Sequence, residues 1–167
     1  LLDRKNLGTL GGGNHFIELQ IADNGKLWLM IHSGSRNLGY KIAAHYHKLA
    51  QKLNAQWHAE LPSPDLAFLP ADSKLGQDYI RDMNFALEYA LENRHRMMDC
   101  FKKAVADFLH SEVEFIREIN IHHNYTALEN HFGQNAPRCV ATRISGCVLL
   151  CEEHAWCDAQ YGLPAFS

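Results

Sequence analysis

The chain has 167 residues, 47% of them hydrophobic and 21% charged, a globular composition that excludes a disordered or collagen-like polymer. Its formal net charge of −3 excludes a whole-chain basic surface for bulk nucleic-acid binding, though a local basic patch stays open. No apolar run approaches the roughly 18 residues of a membrane span. No apolar core follows Leu1-Leu2-Asp3-Arg4-Lys5, so a signal peptide is not read there. With no initiator Met, the chain is expected to start inside a longer protein or to have been processed. Five cysteines, an odd number, fit reduced thiols in a cytoplasmic setting.

Seven of the eleven glycines lie between Gly8 and Gly39. Among them are two β-rich runs, His15 to Ala22 and Lys26 to His32, separated by Asp23-Asn24-Gly25. Asn-Gly between such runs predicts a hairpin with a two-residue turn. From Leu38 the period changes: Leu38, Ile42, Tyr46, Leu49, Leu53 and Trp57 predict an amphipathic helix, stopped by Pro62 and Pro64. A longer helix follows on Ile80, Met83, Leu87, Leu91, Met98, Phe101, Val105 and Phe108, ending near Leu109 to Ser111. Val113, Phe115, Ile119 and Ile121 then alternate with polar residues, which predicts a half-buried strand. The fold class is α+β, a mixed sheet with a β-hairpin and two long helices.

Eleven histidines are the most unusual count, and imidazole is a frequent metal ligand and catalytic base. A two-residue turn at Asn24-Gly25 places Ile17 opposite His32 and His15 opposite Gly34. His15 and His32 then share one face as diagonal neighbours, with Cβ atoms roughly 7 Å apart. A one-residue change in the turn would destroy that arrangement. In Ile121-His122-His123-Asn124 the alternation puts His123 on the apolar face and His122 on the solvated one. His15, His32 and His123 are therefore the candidate metal ligands. Each can also be read as a hydrogen-bonded core histidine.

The loop Leu7-Gly8-Thr9-Leu10-Gly11-Gly12-Gly13-Asn14-His15 is neither a Walker loop nor a dinucleotide fingerprint. Its glycines let backbone N–H groups approach an anion, Asn14 supplies an amide, and Glu18 supplies a carboxylate that a guanine edge requires. A tight turn with no ligand is the alternative. In His32-Ser33-Gly34-Ser35-Arg36, the arginine is placed to fork onto a phosphate, or else is solvated.

Three segments carry a family resemblance: Leu7 to Glu18, Ile31 to Arg36, and His122-His123-Asn124-Tyr125. Asp82-Met83-Asn84-Phe85-Ala86 and Tyr89-Ala90-Leu91-Glu92-Asn93-Arg94 add to it. From Leu7 to about Glu129 they resemble, in order, the RtcB-type RNA ligases. The resemblance implies a manganese (Mn2+)- and GTP-dependent enzyme of tRNA splicing and RNA repair. Such an enzyme joins RNA 3′-phosphate or 2′,3′-cyclic phosphate ends to 5′-hydroxyl ends, after GTP guanylylates a histidine. It implies manganese at His15, His32 and His123. It implies guanine-nucleotide contacts along Asn14, His15, Phe16, Ile17 and Glu18 and at His123 and Asn124. Arg36 is the candidate RNA phosphate contact.

The resemblance also sets departures. The family's upstream Asp and Cys ligands, its Gly-Ser-Met-Gly loop and its nucleophile in a His-Gly-Ala-Gly segment are not among these 167 residues. No catalytic residue is therefore assigned, and the chain alone is expected not to ligate RNA. The expected division is a partial RtcB-like catalytic core over 1–136 and a divergent tail over 137–167, with truncation or a frameshift as its cause. Two rivals follow: a degenerate homologue that binds metal or nucleotide without catalysis, or a zinc-binding module. The zinc reading rests on Cys139, Cys147, Cys151 and Cys157 with His154, whose spacing lacks a paired Cys-x-x-Cys.

Overall fold

The computed structural model describes residues 4–122, 124–131, 134–141 and 147–149. The predicted hairpin is present, as β1 (Phe16–Ile21) and antiparallel β2 (Leu27–His32). Its turn has three residues, not two. The Gly25 N–H donates to the Ala22 carbonyl at 2.8 Å, and the Ala22 N–H donates to the Lys26 carbonyl at 2.9 Å. Gly25 sits at φ 78°, the left-handed position that closes a three-residue loop. Asp23 thus belongs to the loop, and the ladder shifts by one residue. Phe16 lies opposite His32 and Ile17 opposite Ile31, correcting the expected pairing of Ile17 with His32.

The connecting helices follow their periodicities. The first, α1 (Leu38–Gln56), buries Tyr46, Ala50 and Asn54. Pro62 and Pro64 lie in the connection, where buried Asn54 exchanges two 2.9 Å hydrogen bonds with the Phe68 backbone. The second helix, α2 (Lys74–Leu109), has 36 residues and is capped by Ser73, whose Oγ accepts from the Gly76 N–H at 3.0 Å. At about 1.5 Å per residue it is roughly 54 Å long. It ends at His110, which adopts a left-handed φ of 51°.

The predicted strand from Val113 to Ile121 shrinks to β3 (Ile119–Asn120). Val113 and Phe115 pack against the core without strand structure. Alternation expresses burial on one side, but a strand also needs a neighbour for its N–H and C=O groups. The chain continues as β4 (Asn124–His131) and β5 (Gln134–Ala141), which pair antiparallel with each other. A last strand, β6 (Cys147–Leu149), enters between β2 and β3, giving a sheet ordered β1-β2-β6-β3.

Leu29 and Ile31 of β2 pack on Met97, Met98 and Val105 of α2 to form the core. The architecture is the expected α+β. Among the described residues no helix is long and apolar enough to cross a membrane. Of the zinc reading, Cys139 falls on β5 and Cys147 on β6. Cys151, His154 and Cys157 lie outside the described residues.

Candidate functional site

The Gly-rich loop, the end of β2 and the start of α1 meet at one end of the sheet. His15 precedes β1 and is half-buried; His32 ends β2 and is buried. Their ring centroids are 5.8 Å apart. The expected closeness of these two rings is therefore present, but the route differs. Strict alternation from the shifted ladder would put His15 and His32 on opposite faces. His15 escapes it because it lies outside the strand, where the loop backbone sets its direction. Phe16, cross-strand from His32, stacks on that ring at 5.2 Å with planes 6° apart.

Glu18 lies two residues on from Phe16, so it shares the face of Phe16 and His32, in solvent. Ile17 points to the other face with Ile31. Asn14 is exposed. Asn124 opens β4, opposite Ala141. His123 and the Asn124 side chain lie outside the described residues.

Arg36 is held inward. Its Nε donates to Thr9 Oγ1 at 3.1 Å, its Nη1 donates to the Leu10 carbonyl at 3.2 Å, and Nη1 lies 3.4 Å from His15 Nδ1. Its backbone is left-handed, at φ 52°. The guanidinium passes so close to Gly11, itself at φ 88°, that a Cβ there would lie 1.5 Å from Nη1. This explains one glycine of the loop by close approach. The His15 contact has a chemical consequence. Arg36 can donate to Nδ1 only in the tautomer that carries its proton on Nε2. That tautomer offers no nitrogen to a cation, so a metal on His15 requires this contact to open.

Two buried side chains that the sequence pattern did not single out as site residues hold these loops in place. Asn93 Oδ1 accepts from the Gly8 and Thr9 N–H groups at 2.7 and 3.1 Å. Asn93 Nδ2 lies 3.2 Å from the Thr9 carbonyl, Ser33 Oγ and the Gly34 carbonyl as donor. Arg94 donates to the Ser33 carbonyl at 3.1 Å, the Ile121 carbonyl at 3.1 Å and Asn120 Oδ1 at 2.7 Å. One turn of α2 thereby pins the Gly-rich loop, the Ser33–Gly34 segment and the strand leading to His122. Their signal was present: Asn93 and Arg94 interrupt an otherwise apolar stripe of Met83, Ala86, Ala90 and Met97.

A cavity of about 630 Å³ opens here, lined among others by His15, Arg36, Arg94, His122 and Tyr125. His122 was expected in solvent and is instead half-buried, with a buried Nδ1. The alternation that assigned it outward stops at Asn120. Burial, helped by the Arg94 charge, pushes its imidazole below the ordinary histidine range, against an opposing pull from Glu88.

Two imidazoles at this separation can serve one divalent ion or two adjacent ions. Among the described residues no third His, Cys, Asp or Glu joins them. A family model described as tRNA-splicing ligase RtcB matches residues 2–155. The chain belongs to the RtcB family. The RNA-splicing ligase RtcB of Escherichia coli (strain K12) is 38% identical over 135 residues, 78% of this chain and 33% of that protein. The tRNA-splicing ligase RtcB of Pyrobaculum aerophilum is 34% identical over 147 residues, 77% of this chain and 30% of that protein. That of Archaeoglobus fulgidus is 32% identical over 170 residues, 86% and 34%. The chain thus spans about a third of the length of the curated RtcB relatives it matches.

Proposed function

We propose that this chain is part of a GTP- and manganese-dependent RNA ligase acting in the cytoplasm. It would join RNA 3′-phosphate or 2′,3′-cyclic phosphate ends to 5′-hydroxyl ends in tRNA splicing or RNA repair. The observation that supports this reading is the meeting of two RtcB-like segments at the His15–His32 pair, 5.8 Å between rings, beside Arg36. Manganese, when bound, supplies Lewis-acid alignment of phosphate oxygens. His15 and His32, with His123, are the residues to hold it. His15 reaches a metal only after its contact with Arg36 opens.

The nucleotide reading uses the strand that leaves the histidines. On this reading Asn14 to Glu18, with His123 and Asn124, are the residues assigned to the guanine nucleotide. The Phe16 ring offers a stacking surface, and the Glu18 carboxylate accepts from donor groups on a guanine edge, which adenine does not present in the same place. Glu18→Ala should reduce the preference for GTP over ATP more than it reduces manganese binding. Losing a charge-assisted partner to a base corresponds to about 1–3 kcal/mol. Competition titrations with GTP and ATP in manganese measure this. An unchanged preference would remove Glu18 from the nucleotide site.

A further inference from the structure

Helix α1 carries its charge in one sign. Across its 19 residues, LGYKIAAHYHKLAQKLNAQ, there is no Asp or Glu, in a chain where acids outnumber Lys and Arg by 19 to 16. Its basic side chains are not scattered. Lys41, His45, Lys48 and Lys52 follow one another at spacings of four, three and four, and all four are exposed. At about 100° per residue they fall within an arc of roughly 60°, a single stripe. From Lys41 to Lys52 the stripe rises about 16 Å along the helix. No carboxylate among the described residues lies within ion-pair distance of Lys41, Lys48 or Lys52, whereas Lys74, Arg81, Arg96 and Lys102 of α2 are each paired.

The stripe is continuous with the site. Arg36 lines the cavity that holds His15, and it also lines an adjoining cleft of about 490 Å³ shared with Lys41 and His45. The cleft also holds Asp82, whose carboxylate is engaged by Tyr46 and Arg81, and from Lys41 the lysines continue along the outer face of α1. The opposite, apolar side of α1 is occupied by packing at Tyr46 and Ala50.

We propose that this face of α1 tracks the phosphodiester backbone of an RNA strand whose end lies at the His15–Arg36 site. The inference rests on the RNA-ligase reading above and adds where the rest of the strand runs. The chemistry favours a phosphate backbone over two other anionic partners. A helix that lies on an anionic membrane needs apolar residues facing the lipid, and this stripe offers none at its centre. An acidic protein surface would be met by an interface with buried aromatic or Met anchors, which the stripe also lacks. A row of three ammonium groups facing solvent, on a helix with no carboxylate, suits a polyanion, whose binding is driven by release of its counterions.

Fluorescence anisotropy with a labelled single-stranded oligoribonucleotide of mixed sequence, repeated across a salt series, tests this on the full chain. Lys48→Ala/Lys52→Ala should weaken binding roughly tenfold at low salt. It should also flatten the salt dependence by about 1.4, or 0.7 per lost phosphate contact. Lys48→Arg/Lys52→Arg should restore both, and the charge-matched control Lys74→Ala/Lys103→Ala should stay within twofold of the parent. Circular dichroism checks that each variant keeps its helices. If the parent binds and the two alanine pairs behave alike, the α1 path is wrong and the ligase reading stands. If the parent binds no RNA at low salt, both fall. Capture of phosphatidylserine vesicles through Lys48 and Lys52, without RNA binding, would assign the stripe to a membrane and overturn the proposal.

Discussion

The Asn93 amide reaches the Gly8 and Thr9 N–H groups on one side and Ser33 and Gly34 on the other, from a fully buried position on α2. No water can replace it without a cavity. Asn93→Ala would strand the Gly8 and Thr9 N–H donors, each costing about 1–3 kcal/mol when buried unsatisfied, while the Ser33 hydroxyl keeps its own bond to the Leu10 carbonyl. Partial relaxation of the loop offsets part of this, leaving an expected loss of about 3 kcal/mol in urea unfolding. A loss under about 1 kcal/mol would mean that the loop holds its shape unaided. At this scale the sequence was half legible. His15, His32 and Arg36 stood out by type and spacing. Asn93 and Arg94 were visible only as polar interruptions of an apolar stripe, and a stripe does not say which backbone groups they satisfy.

Between elements, α1 and α2 are tied by Tyr46, whose hydroxyl donates to Asp82 Oδ2 at 2.7 Å. Arg81 holds the other carboxylate oxygen of Asp82 at 3.1 Å. The hydrogen bond to Asp82, with burial, raises the Tyr46 hydroxyl to about 12. The Tyr46 bond and the Arg81 charge hold the Asp82 carboxyl below its usual range, against the effect of burial. The folded-state value for Tyr46 lies above that of an unfolded tyrosine, about 10. Its contribution is therefore complete below pH 10 and disappears as pH rises from about 10 to about 12. Tyr46→Phe should cost about 1–2 kcal/mol near neutral pH and much less at pH 12, read from thermal unfolding at both. An equal cost at both pH values would show that packing, not the hydrogen bond, carries the contact. The helices themselves were legible because their apolar periods run for several turns. The hairpin was legible in kind but not in register, since Asp23-Asn24-Gly25 can close as two or three residues and sequence spacing alone does not decide between them. Phe115 shows the reverse case: its burial was legible from alternation, while its expected strand needed a partner that the sequence pattern could not supply.

For the whole molecule, the two long helices and the hairpin give an α+β fold in which one turn of α2 gathers the loops of the candidate site. The β4–β5 pair was not foreseen, because its strands carry no sustained alternation and its polar residues, such as Asn124, Glu129 and Asn135, read as loop. Membership of the RtcB family, in contrast, was legible from a few long segments, because each fixes residue types at positions where a loop meets the site. The central proposal is that His15 and His32, together with His123, rather than the neighbouring cavity histidine His122, hold the divalent ion. Manganese titration followed by electron paramagnetic resonance tests it most directly. His15→Ala and His32→Ala should each weaken binding about tenfold or more, as loss of one ligand in a weak imidazole site requires, while His122→Ala should leave it within twofold. Manganese affinity unchanged by His15→Ala and His32→Ala, or lost equally on His122→Ala, would contradict the account.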